Sequence, residues 1–227
     1  MLRTTPVLFV LAAAFVALAA LAVAGCQGKP RDDSADRAPA PPPDDLRSPS
    51  DGLLAINLPA TQARARLTVQ SPAFQKGGVI PEQYSSYGQD VSPPLRWSEP
   101  PYGTQSIVVL LEDPDAENPK PYVHWVLYDL PPGTRELREG LPRLGRLKDP
   151  SGALQGLNSR GSLGYFGPRP PAGVPPHRYH FQVFALDTPL GFNPGVNRQA
   201  VLNAMGGHVL AKGELVGTFQ RAGTEPE

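Results

Sequence analysis

Asp113, His124 and His177 are the residue types from which an acid-base or metal site could be built, and each lies in a stretch of unusual composition. Asp113 falls in Glu112-Asp113-Pro114-Asp115-Ala116, and acids beside a proline also read as an Asx turn that ends a strand. His124 precedes Trp125 in an aromatic, β-branched run. Alternation puts His124 on one face with Tyr122 and Val126, and Trp125 on the other with Val123 and Leu127, which makes Trp125 a core residue. A lone strand histidine is more often hydrogen-bonded structure than a ligand group. His177 opens His177-Arg178-Tyr179-His180. If that segment is extended, His177 and Tyr179 point one way and Arg178 and His180 the other, so His177 and His180 do not share a metal. Just before it, Gly164-Tyr165-Phe166-Gly167-Pro168-Arg169-Pro170-Pro171-Ala172-Gly173 is held as an irregular loop at low entropic cost.

Several chemistries find no support. The chain has no Gly-x-Ser-x-Gly nucleophile elbow, no His-Glu-x-x-His helix and no other dense ligand cluster. Its single cysteine, Cys26, rules out an intramolecular disulfide and a cysteine-built zinc site. Lys plus Arg and Asp plus Glu balance at 21 each, without the basic surplus of a nucleic-acid binder.

The elements that must position these residues are mainly strands. The run 106–111 reads as a buried strand, 122–130 as a second ending at Pro131-Pro132-Gly133, and 179–186 as a third closed by Asp187-Thr188-Pro189. The run 209–219 is weaker, and Gly213 and Gly217 predict a bend or bulge there. The clearest helix lies between the last two strands, with Asn197 as cap, Val201, Leu202 and Met205 on one face, and Gly206-Gly207 as stop. With 29 Pro and 23 Gly in 227 residues, a helical bundle is disfavoured and a mostly antiparallel β-sandwich with one late helix is expected.

The N-terminal part is a different material. Arg3, the apolar run 7–24 and the ending Val23-Ala24-Gly25-Cys26 are the parts of a secretory signal. The ending resembles a bacterial lipobox, which makes residues 1–25 a signal peptide and Cys26 the lipidated first residue of the mature chain. The competing reading, an uncleaved membrane anchor, has nearly the right length, since a span needs roughly 17–25 residues. Both readings put the rest of the chain outside the cytoplasm. By resemblance to Gram-negative lipoproteins, Gln27 after the cysteine, in place of Asp, implies that transfer to the outer membrane is permitted if the host is Gram-negative. Residues 26–65 read as a disordered Pro/Asp-rich tether. Within it Leu53-Leu54-Ala55-Ile56 is an apolar patch that either packs on the domain edge or forms a helix fragment. The folded domain then spans 66–221, with a tail at 222–227.

The ordered set Val91-Ser92-Pro93-Pro94-Leu95-Arg96-Trp97, Asp113-Pro114-Asp115-Ala116, His124-Trp125-Val126, Gly164-Tyr165-Phe166-Gly167-Pro168, His177-Arg178-Tyr179, Gly207-His208-Val209-Leu210 and Glu214-Leu215-Val216-Gly217-Thr218 resembles the phosphatidylethanolamine-binding protein family, and most of all its bacterial Raf kinase inhibitor-like branch. The resemblance runs from about Leu67 to Arg221. It implies a small anion pocket for phosphate or phospholipid headgroups, lined by Asp113, His124, Pro170, His177 and Tyr179, with Gly164 and Gly167 in its rim. No catalytic residue, cofactor or metal is implied. Asp115 and Arg178 would brace the loops as an ion pair. The family has a proline after Asp-Pro-Asp-Ala where this chain has Glu117, and an added carboxylate at the rim would disfavour an anion. The resemblance also allows a second role, a protein-interaction module that inhibits a protease or another envelope protein. The expected partners are thus the membrane, through Cys26, a small phosphate-like ligand and an envelope protein.

Overall fold

The computed structural model describes residues 53–117 and 121–222. The signal sequence, Cys26 and the tether as far as residue 52 lie outside the described residues. In chain order the strands are β1 (Ala65–Arg66), β2 (Val69–Gln70), β3 (Leu95–Trp97), β4 (Ser106–Asp113), β5 (Tyr122–Leu130), β6 (Glu136–Leu137), β7 (Leu154–Gln155), β8 (His177–Leu186) and β9 (Val209–Phe219), with helix α1 (Arg198–Met205) before the last.

Six strands form one sheet in the order β1-β9-β8-β4-β5-β7, and β2-β3-β6 form a small second sheet. All neighbours are antiparallel except β1 and β9. One face of the large sheet carries Val109, Leu111, Trp125, Phe181 and Val183 against Leu95, Trp97 and Leu137 of the small sheet. Alternate residues Val108, Leu110 and Phe184 point to the opposite face, where Val201, Leu202 and Met205 of α1 cover them. The mostly β sandwich with one late helix is therefore the observed architecture. The Asn197 side chain caps α1 by accepting from the Ala200 N–H at 3.0 Å.

Two expectations change. Residues 53–65 belong to the fold and not to the tether. Leu54, Ala55 and Ile56 are buried in the layer with α1, and β1 pairs with β9. Two short 3₁₀ turns, Ala55–Asn57 and Pro59–Thr61, form this strap. Its backbone is held by side chains: Ala55 N–H donates to Glu112 at 2.8 Å, Ile56 N–H to Gln182 at 2.6 Å, and Lys212 Nζ donates to the Ile56 carbonyl at 2.6 Å. Polar residues spread over three strands thus do what no local pattern in 53–65 announces. Secondly, the bulge expected in the run 209–219 is present but lies at Leu210 and not at the glycines: β9 pairs in register with β8 from His177↔Phe219 to Ala185↔Ala211, through Gly213 and Gly217, and the register shifts by one residue before Leu186↔Val209. Gly213 serves close approach instead, because a Cβ there would lie 2.0 Å from the Leu67 carbonyl oxygen.

Candidate functional site

A cleft of about 310 Å³ opens where the end of β4, the start of β5, the start of β8 and the loop carrying Phe166 and Arg169 meet. Asp113, Tyr122, His124 and His177 reach it from the three strands. Strand alternation alone does not place His124. β4 and β5 pair Leu111↔Trp125 and then Glu112↔Val123, so His124 is an extra residue in a bulge. The bulge reverses the phase of the strand. Trp125 and Leu127 stay in the core under the small sheet, whereas Val123 joins the layer under α1. His124 therefore lies on the same side as Trp125, next to Tyr179 and Tyr122 at ring-centroid distances of 5.3 and 5.0 Å. The expected sharing of a face with Tyr122 is observed; the expected separation from Trp125 is not.

The two histidines are held differently. His177 Nδ1 lies 2.8 Å from Asp113 Oδ2. The Asp113 hydrogen bond raises the His177 pKa, burial lowers it, and the charges of Asp113, Asp115 and Glu117 raise it further, leaving a net rise. His124 is 3 % exposed, and burial lowers its pKa against the pull of Asp113 and the Phe166 carbonyl. Its Nδ1 is 2.7 Å from the Phe166 carbonyl oxygen, which only accepts, so Nδ1 carries the proton. With Nδ1 engaged in both rings, Nε2 is the nitrogen each has left for a ligand. In neutral His124 that nitrogen is an acceptor; in protonated His177 it is a donor.

Asp113 does two structural jobs. Oδ2 orients His177, while Oδ1 accepts the Asp115 and Ala116 N–H groups at 2.8 and 3.1 Å. The Asx turn read from the sequence and the site role coexist in one carboxylate. The next acid, Asp115, takes Arg178 Nη2 at 2.6 Å and Nε at 2.9 Å, the bracing pair expected from the motif. Burial would raise the Asp115 pKa, but the hydrogen bonds and charge of Arg178 bring it down overall.

The site differs in membership from the sequence expectation. Tyr179 is fully buried behind His124 and does not line the cleft, and its hydroxyl has no hydrogen-bond partner among the described residues. Burial, then the nearby Asp113 carboxylate, pushes its pKa far up, so the phenol stays neutral. Pro170 is buried, its carbonyl accepting from Tyr87 at 2.7 Å, and its neighbours Arg169 and Pro171 line the cleft in its place. Gly164 and Gly167 are buried in the wall behind Phe166. Gly167 donates its N–H to Asp90 Oδ1 at 2.7 Å, and a Cβ there would meet the Tyr84 carbonyl at 2.3 Å.

Arg160, Phe166 and Arg169 complete the cleft. The Phe166 ring stacks on His124 at 5.4 Å with 2° between planes, and the Arg160 guanidinium lies 4.6 Å from the Phe166 centroid. Phe166 thus contacts both His124 and Arg160. Arg160 sits in a loop with no local pattern, and Arg169 lies inside the quoted motif without a hint of its direction. Glu117 also lines the cleft and is exposed. Among the described residues no group of three or more His, Cys, Asp or Glu side chains is placed to hold a metal ion.

Comparison with known proteins agrees with this architecture. Residues 70–220 match the family model for phosphatidylethanolamine-binding protein. The chain belongs to that family. A UPF0098 protein of Methanothermobacter thermautotrophicus is 43% identical over 155 residues, covering 68% of this chain and 99% of its own. LppC of Mycobacterium tuberculosis, whose name calls it a lipoprotein, is 37% identical over 154 residues, covering 68% of this chain and 72% of its own. Among solved structures, the homologue CT736 of Chlamydia trachomatis superposes with a TM-score of 0.62 at 38% identity, covering 69% of this chain and 98% of its own. YbcL of E. coli superposes with a TM-score of 0.65 at 29% identity, covering 69% and 99%. No helix among the described residues is long and apolar enough to cross a membrane.

Proposed function

We propose that the cleft binds a small phosphate-like anion, free or as a phospholipid headgroup, and that the chain is a lipid-anchored binding protein of the cell envelope and not an enzyme. The observation that carries this reading is the convergence of His124 and His177 with the guanidiniums of Arg160 and Arg169 on one small cleft. Protonated His177 and the two arginines supply donors and positive charge. Neutral His124 supplies one acceptor, which matches a ligand that keeps a hydrogen, such as the P–OH of hydrogen phosphate or a headgroup ammonium. Anchoring through Cys26 rests on the lipobox-like ending, and the lipoprotein name of the mycobacterial relative supports it.

The test is a titration of the full chain with phosphoethanolamine, followed by the histidine ring signals in NMR. Saturable shifts of His124 and His177, lost in His177→Ala, are expected. Unmoved signals at millimolar ligand would overturn the reading.

A further inference from the structure

A second polar cleft, of about 410 Å³, lies at the β1 edge of the large sheet. Arg66, Lys76 and Lys212 line it, with Glu214 as the one carboxylate. Arg66 and Lys212 are register partners across the parallel β1–β9 pair, so two cations stand side by side on one face. Like charges in that position destabilise a sheet unless something neutralises them. Neither Arg66 nor Lys76 makes an ion pair among the described residues.

Lys212 is the more telling residue. It is 4 % exposed, yet its ammonium, with three donors, has one hydrogen bond, to the Ile56 carbonyl. Burial, and then the Arg66 charge, lower its pKa. Buried ammonium groups are normally paired. The Glu214 charge opposes that lowering only in part, because its carboxylate is hydrogen-bonded to His180 Nδ1 at 3.0 Å and forms no ion pair with Lys212. Burial raises the Glu214 pKa, and the His180 hydrogen bond with the charges of His180, Lys76 and Arg66 outweighs it. Three cations therefore face one cleft that holds a single acid.

We infer that this cleft is a second anion site, separate from the histidine cleft, that takes a phosphate group between Arg66, Lys76 and Lys212. The strap closes it on one side, with Ile56, Asn57 and Gln62 among its lining. The site thus lies beside the segment through which the chain enters the domain. A phosphate there removes the repulsion between Arg66 and Lys212 and gives the buried ammonium a counter-ion. The same chemistry suits free phosphate and the phosphodiester of an anionic lipid.

The test is equilibrium dialysis of the full chain against radiolabelled inorganic phosphate, comparing wild type, the double variant Arg66→Gln/Lys76→Gln, and His177→Ala. Both glutamines fall on exposed positions, so folding is not at stake. The double variant is expected to lose one phosphate per chain, or to bind it about tenfold or more weakly, with the histidine-cleft phosphate kept. His177→Ala is expected to keep the β1-edge phosphate, so failure of the histidine cleft and failure of this site read out separately. Unchanged stoichiometry and affinity in the double variant would overturn the proposal. A competition arm with glycerophosphoglycerol separates the sources: displacement assigns a lipid headgroup, and no displacement assigns free phosphate.

Discussion

The imidazole of His177 and the carboxylate of Asp113 form a buried pair, Nδ1 to Oδ2 at 2.8 Å, at 11 % and 4 % side-chain exposure. Because the other Asp113 oxygen holds the Asp115 and Ala116 N–H groups, the pair ties the charge of the cleft to the shape of the loop after β4. The pKa of His177 is raised by this contact and that of His124 is lowered by burial, so the two rings titrate apart.

The sign of the pH dependence follows. For His177, raised in the fold, the stabilisation from the pair is complete below the unfolded value of about 6.5 and disappears as pH rises through the folded value above it. For His124, lowered in the fold, stability is present above about 6.5 and declines as pH falls through its folded value. Anion binding is therefore expected to weaken as pH rises past the His177 pKa. An NMR pH titration of both rings should give a midpoint above 6.5 for His177 and below it for His124. Asp113→Asn should move the His177 midpoint down and weaken phosphate binding in parallel. A His177 midpoint unmoved by Asp113→Asn would contradict this account.

How much of this was legible in the chain depends on the distance over which each feature is specified. The four long strands β4, β5, β8 and β9, the capped helix and the Asp115–Arg178 brace follow from local pattern and motif, whereas β1, β2, β3, β6 and β7, two or three residues each, are too short to show a period. The face of His124 does not, because a one-residue bulge against Leu111 and Glu112 reverses the alternation, and nothing between Tyr122 and Leu130 marks it. Arg160 lines the cleft from beside Phe166, a contact across a loop without periodicity. The strap at 53–65 looks like linker because its partners Glu112, Gln182 and Lys212 are far away in sequence. Polar residues inside strands β4, β8 and β9 were the available sign that something polar had to reach them.

Selectivity between anions tests the His124 tautomer. Nδ1–H is committed to the Phe166 carbonyl, so Nε2 presents a lone pair to the cleft. Hydrogen phosphate can donate to it, and sulfate, fully ionised at neutral pH, cannot. Phosphate is expected to bind about tenfold more tightly than sulfate at pH 6 to 7, a difference set by one unmatched buried acceptor. Competition of sulfate against phosphate by calorimetry measures it, and equal affinities would remove the case for a protonated ligand.

Glu117 lines the cleft, exposed, with its charge opposed to any anion bound there. Glu117→Gln should tighten phosphate binding by about two- to fivefold at low ionic strength, with the gain fading as salt screens it. If the ligand carries an ammonium that meets Glu117, the same substitution weakens phosphoethanolamine while tightening phosphate. Titrating both ligands against the variant separates the two cases.

The strap gives the last prediction. Glu112 is fully buried and accepts from Ala55 N–H, Gln182 Nε2 and Arg198 Nε, and Arg198 also donates to the Leu53 carbonyl at 2.5 Å. One carboxylate and one guanidinium thus tie the strap, β4, β8 and α1 together. Removing Arg198 leaves a buried charge without its cation, and breaking such a pair costs about 3–5 kcal/mol. Arg198→Met should therefore lower the unfolding free energy by that order, read from denaturant titration. A chain beginning at residue 66 should expose the apolar layer that Leu54, Ala55 and Ile56 cover, with a lower Tm and increased binding of a hydrophobic dye. Since Glu112 is the residue before Asp113 on β4, Arg198→Met should also shift the His177 ring signal if the two faces of the strand are coupled. An unshifted signal would mean that strap and cleft are held independently.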